Sequence, residues 1–198
     1  MSRNPEVTRS KILEAARKEF AERGLAGARV DRIAGSAGVN KERLYANFGN
    51  KERLYDTVME MELRRVRETT PLLLDAGEGV GEFVRRVFEI NRRDPSLVRI
   101  LMWEAMSYEE RGLMGDGSRR EFYRERVAGI QEKLGIADRD RAAMVYFVLV
   151  GLALWSTAMP NLAHLMTDGA MDTEDGLGRL EEYIVELSER LVPKGSGA

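Results

Sequence analysis

Residues 30–52 read VDRIAGSAGVNKERLYANFGNKE, two short apolar-periodic segments joined by Ala37, Gly38 and Val39. Ile33, Ala34, Val39, Leu44 and Phe48 are spaced to point inward against Ile12, Ala16 and Phe20 of the preceding segment. Three short helices can therefore share one small core. Gly38 is the turn, since glycine takes the positive φ that ends a helix, and Asn40 can cap the next one by accepting a backbone N–H. Lys41, Glu42, Arg43, Tyr45 and Asn47 are left outside. Two helices held tightly at an angle present the front of the second as a protruding rod, narrow enough for the roughly 12 Å major groove of DNA. The alternative is an ordinary helical hairpin with a solvated charged face.

Working outward, Asn4-Pro5 marks the start of the first helix, a capping residue followed by a proline in the first turn, and Gly24 marks its end. A fourth helix is expected from about Asn50 to Thr70, ahead of Pro71. Valine, isoleucine and threonine nowhere alternate with polar residues for long enough to make a strand, so the chain reads as all-α.

The charge is unevenly placed. Residues 1–55 carry 12 Lys and Arg against 7 Asp and Glu, whereas the whole chain of 198 residues has a net charge of −2. A basic head on an acidic body fits a small module that meets a polyanion. Hydrophobic residues make up 43% of the chain, enough to fill a core. MSRNPEVTRSKIL lacks the apolar run of a signal peptide, and the chain has no cysteine, which excludes a disulfide framework and thiol chemistry. Residues 142–155 are uncharged, in the length range of a buried core helix rather than a membrane span. A cytoplasmic protein without a membrane anchor is expected.

TRSKILEAARKEFAERG (residues 8–24) followed by the 30–55 run resembles the DNA-binding head of the TetR-like transcriptional regulators. The resemblance lies in the order and spacing of small pieces: phenylalanine and glycine closing helix one, Ile-Ala in helix two, Ala-Gly-Val, Leu-Tyr-x-x-Phe and Lys-Glu. It implies a three-helix head over residues 1–55 and a ligand-binding, dimerising helical body over 56–198, about nine helices in all, with no cofactor. It further implies that Tyr45 and Lys51 contact phosphates and that Lys41 and Arg43 meet base edges, with Asn40 as the recognition-helix cap. Arg29 stands where many members have a serine or threonine cap, so that cap is weaker unless Asp31 or water serves the free N–H groups, while the arginine itself could reach a phosphate. Glu42 stands where a small residue is common and is either a reader of cytosine N4–H or, the favoured reading, a partner that orients Arg43. Asn47 replaces a histidine or tyrosine and could donate to a phosphate.

The body shows a fifth helix with Val80, Phe83, Val84, Val87 and Phe88 on one face, and a sixth after Asp94-Pro95 with Leu97, Leu101 and Ala105. After a glycine-rich loop at 112–118, a seventh places Phe122 or Tyr123 with Val127, Ile130 and Leu134. An eighth, about 138–166, is apolar on all sides from Met144 to Trp155 and needs a second subunit around it, with Gly151 and Ala153 allowing close approach and Pro160 imposing a kink. A ninth repeats Leu177, Leu180, Ile184, Leu187 and Leu191. These two helices are expected to form a four-helix dimer interface, and the tail from Pro193 to be disordered.

A homodimeric repressor follows, one that binds a palindromic operator and is released by a small, mostly hydrophobic effector. Its pocket residues are taken from the large adaptable side chains Trp103, Met106, Tyr123, Met144, Phe147 and Trp155, for which plain core is the alternative; Tyr108, Tyr123 or Glu104 would meet the effector's polar group. Competing readings are a helical protein-interaction module and a cofactor-free enzyme. Against the enzyme stand a single histidine, His164, no phosphate loop and no nucleophile motif; Glu104 and Glu109 are five residues apart and fall on different helix faces.

Overall fold

The computed structural model describes residues 5–70, 79–107 and 116–192. All regular structure among them is helical, as ten α-helices and one 3₁₀ turn: α1 (Pro5–Gly27), α2 (Val30–Ala37), α3 (Lys41–Phe48), α4 (Lys51–Thr69), α5 (Val80–Arg93), α6 (Ser96–Met106), α7 (Asp116–Leu134), α8 (Arg139–Ala158), α9 (Pro160–Met166), the 3₁₀ turn Ala170–Asp172, and α10 (Glu174–Leu191). Expectations placed on Asn4, Pro71, Tyr108, Glu109, the glycine-rich segment 112–115 and the tail from Pro193 lie outside the described residues. The tenth helix arises at Pro160. Proline pushes the residue before it out of the α region, and Met159 (φ −126°, ψ 57°) ends α8, so Pro160 opens a new helix at its first turn rather than kinking a long one.

Two compact units result, one of Met1–Arg65 with Ser96–Arg119 and the other of Val66–Pro95 with Arg120–Ala198; the boundary falls inside α4 and inside α7. In the first, Ile12, Ala16 and Phe20 of α1 bury against Ile33, Ala34, Leu44 and Phe48, as the sequence pattern requires, with Leu54, Tyr55, Val58 and Met59 of α4 closing the core. The Phe20 and Tyr55 rings meet edge to face at 5.1 Å. Helix α6 joins this head rather than a separate body: Ile100 is fully buried in the head core, with Leu97 and Leu101 beside it, while Ala105 is exposed. The run SLVRILMW is apolar at nearly every position, so periodicity alone does not choose its buried face.

Gly24 carries φ 62° and ψ 176°, a backbone that side-chain-bearing residues rarely adopt, and it breaks α1 where the sequence places its end. A Cβ added there would lie 3.0 Å from the Cβ and Cγ of Trp103. Gly24→Ala is therefore expected to destabilise the protein by about 1–3 kcal/mol through backbone strain, with added crowding against Trp103. Thermal unfolding followed by near-UV circular dichroism measures it; an unchanged midpoint would show that both the backbone and the indole relax freely.

In the second unit, Val80, Phe83, Val84, Val87 and Phe88 of α5 pack on Leu149 and Ala153 of α8 and Ile184 of α10, with Leu154, Leu177 and Leu180 half-buried around them. Phe122, Val127 and Ile130 are the buried apolar residues of α7, while Tyr123 is exposed. Helix α8 is therefore not enclosed all round. Ala142, Leu149 and Ala153 form its buried side, and Met144, Phe147, Val148, Gly151 and Trp155 recur at helical spacing along an exposed side. At 20 residues α8 is also long and apolar enough to cross a membrane by length and composition, which the uncharged 142–155 core alone is not. His164 on α9 is exposed, with Nδ1 2.6 Å from Asp172 Oδ2.

Candidate nucleic-acid interface

Gly38 follows α2 in the left-handed conformation (φ 67°, ψ 37°), and Val39 N–H donates to Ala34 O at 3.0 Å, a Schellman closure that satisfies the last carbonyls of α2 and turns the chain at once. Asn40 Oδ1 then accepts from Arg43 N at 3.0 Å and starts α3. Leu44 and Phe48 hold α3 in the core, which leaves Lys41, Glu42, Arg43, Tyr45 and Ala46 exposed along one helix. This is the protruding rod that the turn chemistry implies.

The polar residues on it are lightly held. Lys41 pairs with Asp31 on α2, and both are exposed. Arg43 Nη2 donates to Thr8 Oγ1 at 3.4 Å, a long bond, and not to Glu42; that pairing does not form among the described residues. An exposed ion pair and a long hydrogen bond are each worth little, so a phosphate or base edge can replace them. Asn47 spends one amide N–H on Arg43 O at 2.7 Å, and its own carbonyl accepts from Arg9 Nη1 at 3.4 Å. Lys51 is half-buried and donates from Nζ to Ala28 O at 3.2 Å, so its ammonium first ties α4 to the link between α1 and α2; Asn50 caps α4 through Arg53 N at 2.7 Å.

Arg29, exposed at the N-cap of α2, makes no side-chain cap. Its backbone N–H instead donates to Glu19 Oε1 at 2.9 Å, and Arg32 Nε donates to the same oxygen at 2.8 Å. Glu19, only 8% exposed, takes the capping role that the sequence reading offers to Asp31 or water. Burial alone would raise its carboxyl pKa, but the hydrogen bonds from Arg32 and Arg29 and the charges of Arg32 and Arg23 outweigh that and hold it below the ordinary value. Also missed from sequence are Arg9, whose guanidinium lies 4.5 Å over the Phe48 ring, and Arg53. Together with Tyr45, Asp56 and Glu60 they line an open groove of about 550 Å³.

The fold and this geometry match known proteins. The family model described as "Bacterial regulatory proteins, tetR family" matches residues 12–58, and the "Tetracyclin repressor-like, C-terminal domain" model matches residues 79–190. The chain belongs to the TetR family. It is 35% identical over 196 residues to the HTH-type transcriptional repressor SCO4008 of Streptomyces coelicolor, covering 98% of this chain and 99% of that one. The HTH-type transcriptional repressor NicS of Pseudomonas putida is 32% identical over 101 residues, about half of each chain (49% and 48%). Among solved structures, the putative transcriptional regulator SCO4942 from Streptomyces coelicolor superimposes with a TM-score of 0.75 at 27% identity, covering 95% of this chain and 99% of that one. This TetR-family protein is a DNA-binding transcriptional regulator and not an enzyme.

The residues expected to line an effector pocket are distributed differently. Met144, Phe147 and Trp155 are 67%, 79% and 57% exposed on the outer side of α8, not in the interior of the body where the sequence reading puts them. Trp103 and Met106 lie on α6 in the first unit, Trp103 against Gly24, and Tyr123 lies on α7 with its ring edge to face with Phe122 at 5.1 Å. Glu104 is engaged by Arg119 through two bonds of 2.6 and 2.7 Å, both side chains nearly buried, so it is not a free acceptor for a ligand.

Proposed function

We propose that this TetR-family regulator is a cytoplasmic homodimeric repressor whose two heads read an inverted-repeat operator and whose body responds to a small, mostly hydrophobic effector. The observation that carries the reading is the capped, protruding α3, with Lys41, Arg43 and Tyr45 exposed on a basic head. The residue ranges 1–55 for DNA binding and 56–198 for effector and dimer functions are retained as a functional division, with α6 serving both. A two-fold dimer placing α3 in successive major grooves requires half-sites separated by about one or more helical turns.

Met144, Phe147 and Trp155 are reassigned to the dimer face, since an apolar stripe of this size on one helix calls for a partner and a second copy of α8 is self-complementary to it. Gly151, open on the stripe, suits close approach of the two copies; Ala153, buried within its own subunit, does not serve there. Trp103 and Met106 on α6 of the first unit and, separately, Tyr123 on α7 of the second remain effector candidates.

A footprint on DNA flanking the protein's own gene tests the operator. Arg43→Ala should then change base preference there. Tyr45→Phe and Lys51→Ala should weaken binding to every sequence, and removing the lysine's pairing with a phosphate should lower the salt slope by about 1. Equal losses on operator and random DNA for Arg43→Ala would remove it as a base reader. For the effector, hydrophobic aromatic compounds are screened by Trp103 emission in a Trp155→Phe background, with and without operator. A binder whose affinity ignores DNA would contradict release by the effector.

A further inference from the structure

Arg29 enters α2 with extended backbone (φ −116°, ψ 125°), the conformation of an N-cap, but its side chain gives the helix nothing. A serine or threonine there would turn its hydroxyl back onto the helix; arginine sends its charge outward and leaves the entry of α2 to be fixed by something else. Glu19 fixes it. One carboxylate oxygen accepts Arg29 N–H at 2.9 Å and Arg32 Nε at 2.8 Å, and Arg32 Nη2 reaches on to Gly27 O at 2.9 Å. The backbone is thus pinned on both sides of Ala28. In a capping box a glutamate within the helix reaches back to the N-cap N–H; here the glutamate comes from α1, ten residues upstream of the bond it receives. Because Arg32 neutralises Glu19 and both are held by the fold, the carboxylate adds little repulsion toward a polyanion outside.

We propose that Glu19 is a positioning residue for DNA binding: by capping α2 from α1 it frees the Arg29 side chain and fixes its backbone, so that the guanidinium is presented to a phosphate. This rests on Arg29 facing DNA, and the experiment separates the two claims. Glu19→Leu keeps bulk at this buried position and removes the acceptor; Glu19→Ala is run beside it, and Glu19→Gln keeps an acceptor for the Arg29 N–H. Each is combined with Arg29→Ala, and binding to a mixed-sequence duplex of about 30 base pairs is measured by fluorescence anisotropy over a salt series. Thermal unfolding of each variant is measured in parallel.

Arg29→Ala is expected to weaken binding roughly fivefold and to lower the salt slope by about 1. Glu19→Leu should reproduce both changes when Arg29 is present and add little when it is absent, and Glu19→Gln should restore most of the affinity and the slope. Equal losses from Glu19→Leu and Glu19→Ala with and without Arg29 would show that Glu19 supports the fold only, and would overturn the positioning role while leaving Arg29 at the DNA. An Arg29→Ala protein with unchanged affinity and slope would remove Arg29 from the interface, and the positioning role with it.

Discussion

Phe147→Arg combined with Trp155→Arg is expected to leave a folded monomer whose operator affinity is at least about 100-fold weaker, the loss that follows when two linked binding events become independent. Both side chains are largely exposed on the protomer, so their replacement removes little packing within the subunit and leaves its unfolding midpoint nearly unchanged. In a dimer the same arginines would face each other across an apolar contact, where unpaired buried charge costs several kcal/mol. Leu154→Arg and Leu180→Arg are poorer tests, because both leucines are partly buried against the core cluster of the second unit and their replacement would disturb packing within the subunit. Sedimentation decides the assembly, and anisotropy on the operator decides the coupling. A double variant that still sediments as a dimer would place the interface elsewhere, and a monomer with undiminished affinity would separate dimerisation from operator binding.

How much of this is legible in the sequence depends on whether the determining interaction is local. Helix α2 and the helix-turn-helix geometry follow from residues within a few positions of one another: Gly38 takes the left-handed turn, Asn40 the cap, and Ile33, Ala34, Leu44 and Phe48 the core face. Helix α6 reads from sequence as part of the body because a segment apolar on most sides carries no phase, and only its packing on α1 selects Ile100. The same lack of phase makes α8 look enclosed. Its sequence is apolar on every side, but only the Ala142, Leu149 and Ala153 side is covered within the subunit. That leaves Met144, Phe147 and Trp155 readable as pocket residues, when the fold turns them outward.

Functional residues behave likewise. Asn40 is readable as a cap because its partner is three residues away, whereas Glu19 caps α2 across ten residues of sequence and has no local signal. The signal that could have found it is the missing cap itself: an arginine at the N-cap position obliges some acceptor to approach from outside the helix. Lys51 shows the limit of reading by resemblance, since its place at the start of α4 follows from the motif but its bond to Ala28 O does not.

The end of α4 supplies the second large effect. Arg126 of α7 is buried, with Nη1 2.5 Å from Thr70 O, Nη2 2.9 Å from Val66 O and its guanidinium 5.1 Å over the Phe122 ring. Burial lowers its pKa, as it must when a cation leaves water, so desolvation opposes this arrangement. In its favour are the negative end of α4, two charge-assisted hydrogen bonds and the ring face. The two carbonyls are not equal. Val66 O already accepts Thr70 N–H at 2.9 Å and Thr70 Oγ1–H at 2.8 Å, so losing the arginine there costs little. Thr70 is itself buried, and its carbonyl would lose a strong donor. Arg126→Ala, which leaves that carbonyl and a cavity, is expected to destabilise the protein by about 2–4 kcal/mol. Arg126→Met, which fills the space without a charge, recovers part of this by removing the desolvation cost. Denaturant unfolding of both variants gives the comparison. A methionine variant as unstable as the alanine one would assign the whole effect to the Thr70 bond; a methionine variant more stable than wild type would show that burying the guanidinium costs more than its bonds return, in which case Arg126 is there to hold the last turn of α4 in one position and not to add stability.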